Sequence, residues 1–313
     1  MSEEPLLHPN QPAISHTDDV SNSPAPFELR PLSTGEILDR GIYLYRSRFA
    51  LFIGLSLPPA IISVAGQALR LSLMHWRGNT YALVLAGIFQ IVTAILAWFV
   101  LGITQAATSS AVSSIYLGEA TSIAAAFGSI VKRWYRYIAI AIWQVWSGSW
   151  LMVLLVVAAG AASGARISWL AVSLLFLAFA SLVYGVIAYI RNSLAVPASV
   201  VESSGVRASI RRSKQLVSGR KGRIFLMFVL VIVLYMVMGM IEMPFALIIA
   251  RSPMSPHTVV EGILLLINFI CQVLVAPVSS IALSLFYFDE RVRREGFDIE
   301  FLLAHNTISP ESA

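Results

Sequence analysis

Charge is scarce in this chain, and cysteine and histidine are scarcer still. Only 12% of its 313 residues are charged, about half the share of an ordinary soluble domain. A mean hydropathy of +0.76 with 57% hydrophobic residues leaves too little polar surface for a water-exposed globule. The single cysteine, Cys271, excludes an intramolecular disulfide; inside an apolar run it reads as a small core residue. None of the five histidines pairs at i, i+4 on an apolar run, which gives metal binding little support. There is no His-Glu-x-x-His, no Walker loop and no Gly-x-Ser-x-Gly elbow, so the usual hydrolytic and nucleotide-binding motifs are missing. Residues 1–29 hold no Lys or Arg and no apolar core, which argues against a cleavable signal peptide. Their prolines (Pro5, Pro9, Pro12, Pro24 and Pro26) stand among Ser, Asn and Asp. Too few apolar groups are present to offset ordering entropy, so a disordered cytoplasmic tail is expected.

What the chain has is long apolar runs. Six can be read, at residues 49–69, 81–105, 137–160, 167–190, 224–250 and 262–288. Each is about 20 residues or longer, enough at roughly 1.5 Å per residue to cross a hydrocarbon core. The basic residues divide unevenly about them: of 22, eighteen fall in alternate segments and only Arg70, Arg77, Arg166 and Arg251 in the others. By the positive-inside rule both termini are then cytoplasmic. The expected architecture is all-α: a polytopic bundle of six transmembrane helices over residues 30–303, with residues 304–313 as a C-terminal tail. The sequence pI of about 9.5 points to anionic headgroups rather than nucleic acid, because the basic residues stand beside spans.

A repeat underlies the runs. Arg48, Arg136 and Arg223 precede the odd-numbered spans at intervals of 88 and 87, and Glu119, Glu202 and Asp289 follow the even-numbered ones at 83 and 87. Each unit crosses twice, so three units in one direction make a parallel threefold repeat. Every unit opens on an amphipathic segment. In residues 33–48, Ser33 and Glu36 have capping-box spacing, and Ile37, Leu38, Gly41, Ile42 and Tyr45 share a face. In residues 121–136 the face is Ile123, Phe127, Ile130, Val131 and Trp134; in residues 205–221 it is Val206, Ile210 and Val217, less cleanly divided. Such basic helices lie in the headgroup layer or cap their own bundle, and the same stripe serves either. The headgroup candidates are Lys132, Arg133, Arg136, Arg211, Arg212, Lys214, Arg220, Lys221 and Arg223, with Arg207 in the same basic loop.

Polar residues within spans are costly in lipid and face inward. Glu242, Asn268 and Gln272 are the candidates for a translocation pathway, with Gln90, Gln105 and Gln144 on earlier spans. Interhelical hydrogen bonding is the simpler reading, since Glu242 has no basic partner in the sequence pattern. Trp143, Trp146 and Trp150 recur at i, i+3, i+7 on the third span and read as packing rather than a ligand cage.

Three segments carry a resemblance. Leu32-Ser33-Thr34-Gly35-Glu36-Ile37-Leu38-Asp39-Arg40, with Tyr43, Tyr45, Arg46 and Arg48 after it, resembles the opening of the bacterial glycerophosphoryl diester phosphodiesterase membrane domain. Arg191-Asn192-Ser193-Leu194-Ala195-Val196-Pro197, leading through Glu202 to Ser209-Ile210-Arg211-Arg212-Ser213-Lys214-Gln215-Leu216-Val217, is similar to its middle. Leu285-Phe286-Tyr287-Phe288-Asp289-Glu290-Arg291-Val292-Arg293-Arg294-Glu295-Gly296-Phe297-Asp298 looks like its end. The resemblance covers about residues 30–303 and implies a bacterial plasma-membrane protein. In some members that domain precedes a catalytic domain opening on a His-Arg pair; the pair is missing here, and no such domain is expected to follow. The expected function is therefore non-enzymatic: organising lipids, anionic ones foremost, or a protein partner through a basic cytoplasmic face, with no cofactor. A transporter or channel for a small or lipid-related solute is the alternative.

Overall fold

The computed structural model describes residues 32–74, 80–251 and 258–295. The tail 1–29, all five histidines, Arg30, Arg77 and residues 296–313 lie outside the described residues. Among the described residues there are ten helices and no strand: α1 (Thr34–Ser47), α2 (Phe49–Met74), α3 (Thr80–Tyr116), α4 (Ile123–Val131), α5 (Trp134–Gly164), α6 (Ser168–Asn192), α7 (Ala195–Val201), α8 (Val206–Val217), α9 (Lys221–Arg251) and α10 (Thr258–Glu295). Six of them, α2, α3, α5, α6, α9 and α10, are long and apolar enough to cross a membrane. Each corresponds to one expected span and runs past its apolar stretch. The chain is an all-α polytopic bundle.

The amphipathic segments pack as caps. Ser33 closes the start of α1 as expected: its hydroxyl accepts from the Glu36 N–H at 3.2 Å while Glu36 accepts from the Ser33 N–H at 2.6 Å. The buried face of α1 is Ile37 and Leu44, laid on α10, and Ile42, expected on that face, is 51% exposed. The expected helix over 121–136 is two elements. Ser122 caps α4, which ends at Val131 after burying Ala126 and Ile130; the chain then turns at Lys132 and Arg133, and Trp134 opens α5 with half its surface exposed. Packing α4 flat on α3 while sending α5 through the membrane requires that break.

Helix α8 is more sharply divided than a count of its apolar residues suggests, because two serines belong to the buried side. Ser209, Ile210, Ser213, Leu216 and Val217 face inward together. The Ser213 hydroxyl donates to the Arg191 carbonyl at 2.9 Å and accepts from the Leu194 N–H at 3.1 Å. A hydroxyl satisfied in this way costs little to bury.

The spans form three hairpins, α2/α3, α5/α6 and α9/α10, and their contacts are cyclic. The second helix of each hairpin meets the first helix of the next: α3 with α5, α6 with α9, α10 with α2. The caps follow the same order, α4 on α3, α8 on α6 and α1 on α10, so each lies on the hairpin of the neighbouring unit. This is the arrangement that a threefold parallel repeat produces. Symmetry is broken by α10, which also touches α3, α7 and α8. Within the second hairpin the backbones nearly touch. A Cβ added at Gly185 would lie 2.7 Å from the Gly148 carbonyl oxygen, and one at Gly148 would lie 3.0 Å from that of Gly185. Only glycine permits this crossing of α5 and α6, the small-residue contact favoured between helices in lipid.

Candidate functional site

Arginines and carboxylates gather where α10 emerges from the bundle. Asp289 and Glu290, adjacent in sequence, are both buried. Asp289 accepts from the Leu32 N–H at 2.7 Å, from Arg223 Nη1 at 3.0 Å and from Arg293 Nε at 3.0 Å. Arg223 also donates to Thr34 Oγ1 at 3.0 Å and to the Leu32 carbonyl at 2.7 Å, and Arg293 donates to the same carbonyl. The start of α1 is thereby tied to the ends of both α9 and α10. Glu290 pairs with Arg220 at 3.3 Å and Arg294 at 3.4 Å. Beside them, Glu202 accepts from Arg212 Nε at 2.7 Å and from the Tyr287 hydroxyl at 2.8 Å. Glu295 takes a second nitrogen of Arg212 and also Arg291. Burial pulls the Arg212 pKa down, but its hydrogen bonds to Glu295 and Glu202 outweigh this and leave it raised. Charges drawn from water need such saturation to be tolerated.

Three of the nine headgroup candidates, Arg212, Arg220 and Arg223, are thus committed to internal carboxylates. Arg136 donates to the Ser203 carbonyl at 3.2 Å. Lys132, Arg133, Arg211 and Lys221 are exposed.

Lys214 is placed differently. Its ammonium lies 6.0 Å from the centre of the Trp143 ring, and it lines two adjoining hollows between α5, α6 and α8. One, of about 490 Å³, is bordered by Arg207 and Arg211. The other, of about 390 Å³, is walled by Trp146, Trp150 and Tyr184, with Arg191 at its edge. The tryptophan stripe, expected as packing, is 40–58% exposed along this wall; Trp150 meets Tyr184 edge-on at 6.4 Å. Asn192 also lines this hollow. It is buried, its Nδ2 donates to Ser147 at 2.9 Å, and Gln144 donates to its backbone carbonyl at 2.8 Å. The result is a groove with cations at one end and aromatic rings along its length.

A second polar cluster lies inside the spans. Asn268 donates to Glu242 Oε1 at 3.2 Å, and Gln272 donates to Asn268 Oδ1 at 2.5 Å. The structure therefore joins the three intramembrane candidates in one chain of hydrogen bonds. Two residues that the sequence reading passed over complete it: Gln67 donates to Asn268 Oδ1 at 3.2 Å, and Ser63 accepts from Gln272 at 3.1 Å and from Gln67 at 3.3 Å. Ser63 and Gln67 have the same i, i+4 spacing as Asn268 and Gln272, and that match is the signal that would have found them. Around the cluster is a cavity of about 390 Å³ between α2, α3, α9 and α10, lined also by Trp98 and Tyr235.

Six membrane-length apolar helices around polar clusters of this kind define a multi-pass integral membrane protein. Comparison with protein-family models, curated proteins and solved structures finds no match for this chain.

Proposed function

We propose that the protein is a non-enzymatic membrane protein that holds anionic phospholipid headgroups on its basic face, in the groove between α5, α6 and α8. The observation that carries this reading is the position of Lys214, shared by both hollows and backed by the Trp143 ring. A phosphate would meet Lys214, Arg207 and Arg211, which make no ion pair among the described residues, while an acyl chain would follow the tryptophan wall. Tryptophan favours this depth because one edge is polar and its body is apolar. The reading is non-enzymatic because the larger arginine cluster is saturated by carboxylates, a set suited to holding structure rather than activating a nucleophile.

Kinship to the glycerophosphoryl diester phosphodiesterase membrane domain belongs to the same proposal. Residues 32–48, 191–217 and 285–295, the described parts of the three resembling segments, meet through Leu32, Glu202, Arg212, Asp289 and Arg293.

Each basic residue near an anionic surface contributes about 1 kcal/mol at low salt. The triple variant Arg207→Gln, Arg211→Gln, Lys214→Gln should therefore weaken binding to phosphatidylglycerol vesicles by roughly tenfold to a hundredfold. Its residual binding should respond less to salt, and binding to phosphatidylcholine should not change. Arg212 is left intact because removing it would unpair Glu202. Undiminished phosphatidylglycerol binding would leave α8 with a capping role only.

We also propose that this face is cytoplasmic, in a bacterial plasma membrane, on the strength of the uneven basic distribution. A reporter active only in the cytoplasm should work when fused after Ala313 and be silent beside Arg166. Activity at Arg166 would reverse the orientation.

A further inference from the structure

The cavity around Glu242 has the chemistry of a cation site, independent of the lipid groove. An ionised carboxylate only accepts hydrogen bonds. Glu242 Oε1 receives Nδ2 of Asn268, so Asn268 must turn Oδ1 the other way, toward Gln67 and Gln272. Both glutamines must then offer Nε2 to it, as they do at 3.2 and 2.5 Å. One proton-donor direction therefore runs through the whole network, with both N–H groups of each glutamine engaged. Acceptors are left for a ligand: Glu242 Oε2 and Gln272 Oε1 take no hydrogen bond among the described residues. Neither oxygen is sealed among the buried unpartnered atoms, which are on Arg70, Gln90, Thr104 and Asn192.

Two aromatic side chains, Trp98 and Tyr235, line the same cavity. Ring faces attract cations, and more strongly once water is excluded. Glu242 lies nine residues before Arg251 on α9, about 13 Å along the helix. A carboxylate at such depth needs a partner, a proton or water. The cavity of about 390 Å³ falls within the range of organic-ligand sites, and one carboxylate with amide oxygens is too sparse a cage for a divalent metal.

We propose that this cavity binds a small organic ammonium, its charged nitrogen on Glu242 Oε2 and Gln272 Oε1 and its alkyl part against Trp98 and Tyr235. The probe is n-butylammonium, with n-butanol as the neutral analogue of similar size, added to the full chain in mild detergent. Butylammonium should raise the melting temperature in a dose-dependent way, and butanol should not. Glu242→Gln keeps the shape and the Asn268 hydrogen bond, so it should still fold, but its apparent affinity for butylammonium should fall by roughly tenfold or more. Trp98→Leu should also weaken binding, and it carries the test alone if Glu242→Gln fails to fold. An equal response to butanol, no response in the native chain, or native affinity in a folded Glu242→Gln or Trp98→Leu variant would each overturn the proposal.

Discussion

Asp289→Asn should destabilise the protein by about 3–5 kcal/mol, the range for breaking one side of a buried ion pair. The carboxylate is fully enclosed, and the two guanidinium groups on it, Arg223 and Arg293, are only 23–24% exposed. Asparagine can still accept from the Leu32 N–H, so the loss falls on the charge rather than on that hydrogen bond. The freed arginines also hold the Leu32 carbonyl, so α1 should loosen from α10 before the spans separate. Thermal unfolding in detergent measures the first effect, and limited proteolysis near residues 32–48 measures the second. Adding Arg223→Met to Asp289→Asn should recover part of the loss, since neighbours sharing a network couple by about 0.5–3 kcal/mol. A loss below about 1 kcal/mol would mean that water already screens the cluster.

Gly185→Leu should be the most damaging change within the spans. Even a methyl group at Gly185 would meet a backbone oxygen at 2.7 Å, and backbone cannot rotate away as a side chain can. Overpacking of a tight interface costs roughly 1–3 kcal/mol, and a leucine should reach the upper end. The consequence extends beyond stability. Tyr184, Ile187 and Ala188 flank this crossing and line the tryptophan-walled hollow, so separating α5 from α6 should also lower phosphatidylglycerol binding. Gly160→Ala on α5 is the control, because a Cβ there meets nothing within 4 Å. Equal stability of the two variants would show that α5 and α6 can slide apart at no cost.

The spans were legible because a membrane helix needs only length and apolarity, both local properties. Their ends were less so. Helix α3 runs on from residue 105 to Tyr116 through Thr108 and Ser109, residues that no hydropathy reading extends. It does so because Ser284 on α10 donates to Ser109 at 3.0 Å and Tyr116 stacks on Phe288 at 4.6 Å. Helix α8 was blurred for the same reason: its buried serines look polar until their partners are known. Glu242, Asn268 and Gln272 were recognisable from their cost in lipid, but Gln67 and Ser63 joined them only when α2 packed against α10.

By itself the sequence determined six crossings, the capped start of α1, the threefold spacing and the concentration of basic residues on one side. These follow from composition and from neighbours within a few turns. Only the tertiary structure decided what each charge does. Arg211 and Arg212 are adjacent and chemically identical, yet one is exposed and the other is held between Glu202 and Glu295. Arg223 meets a carboxylate 66 residues away, and the Leu32 N–H meets one 257 residues away. Pairing over such distances is set by where the helices come to rest, because a charge interacts with what lies within a few ångströms and not with what precedes it in the chain.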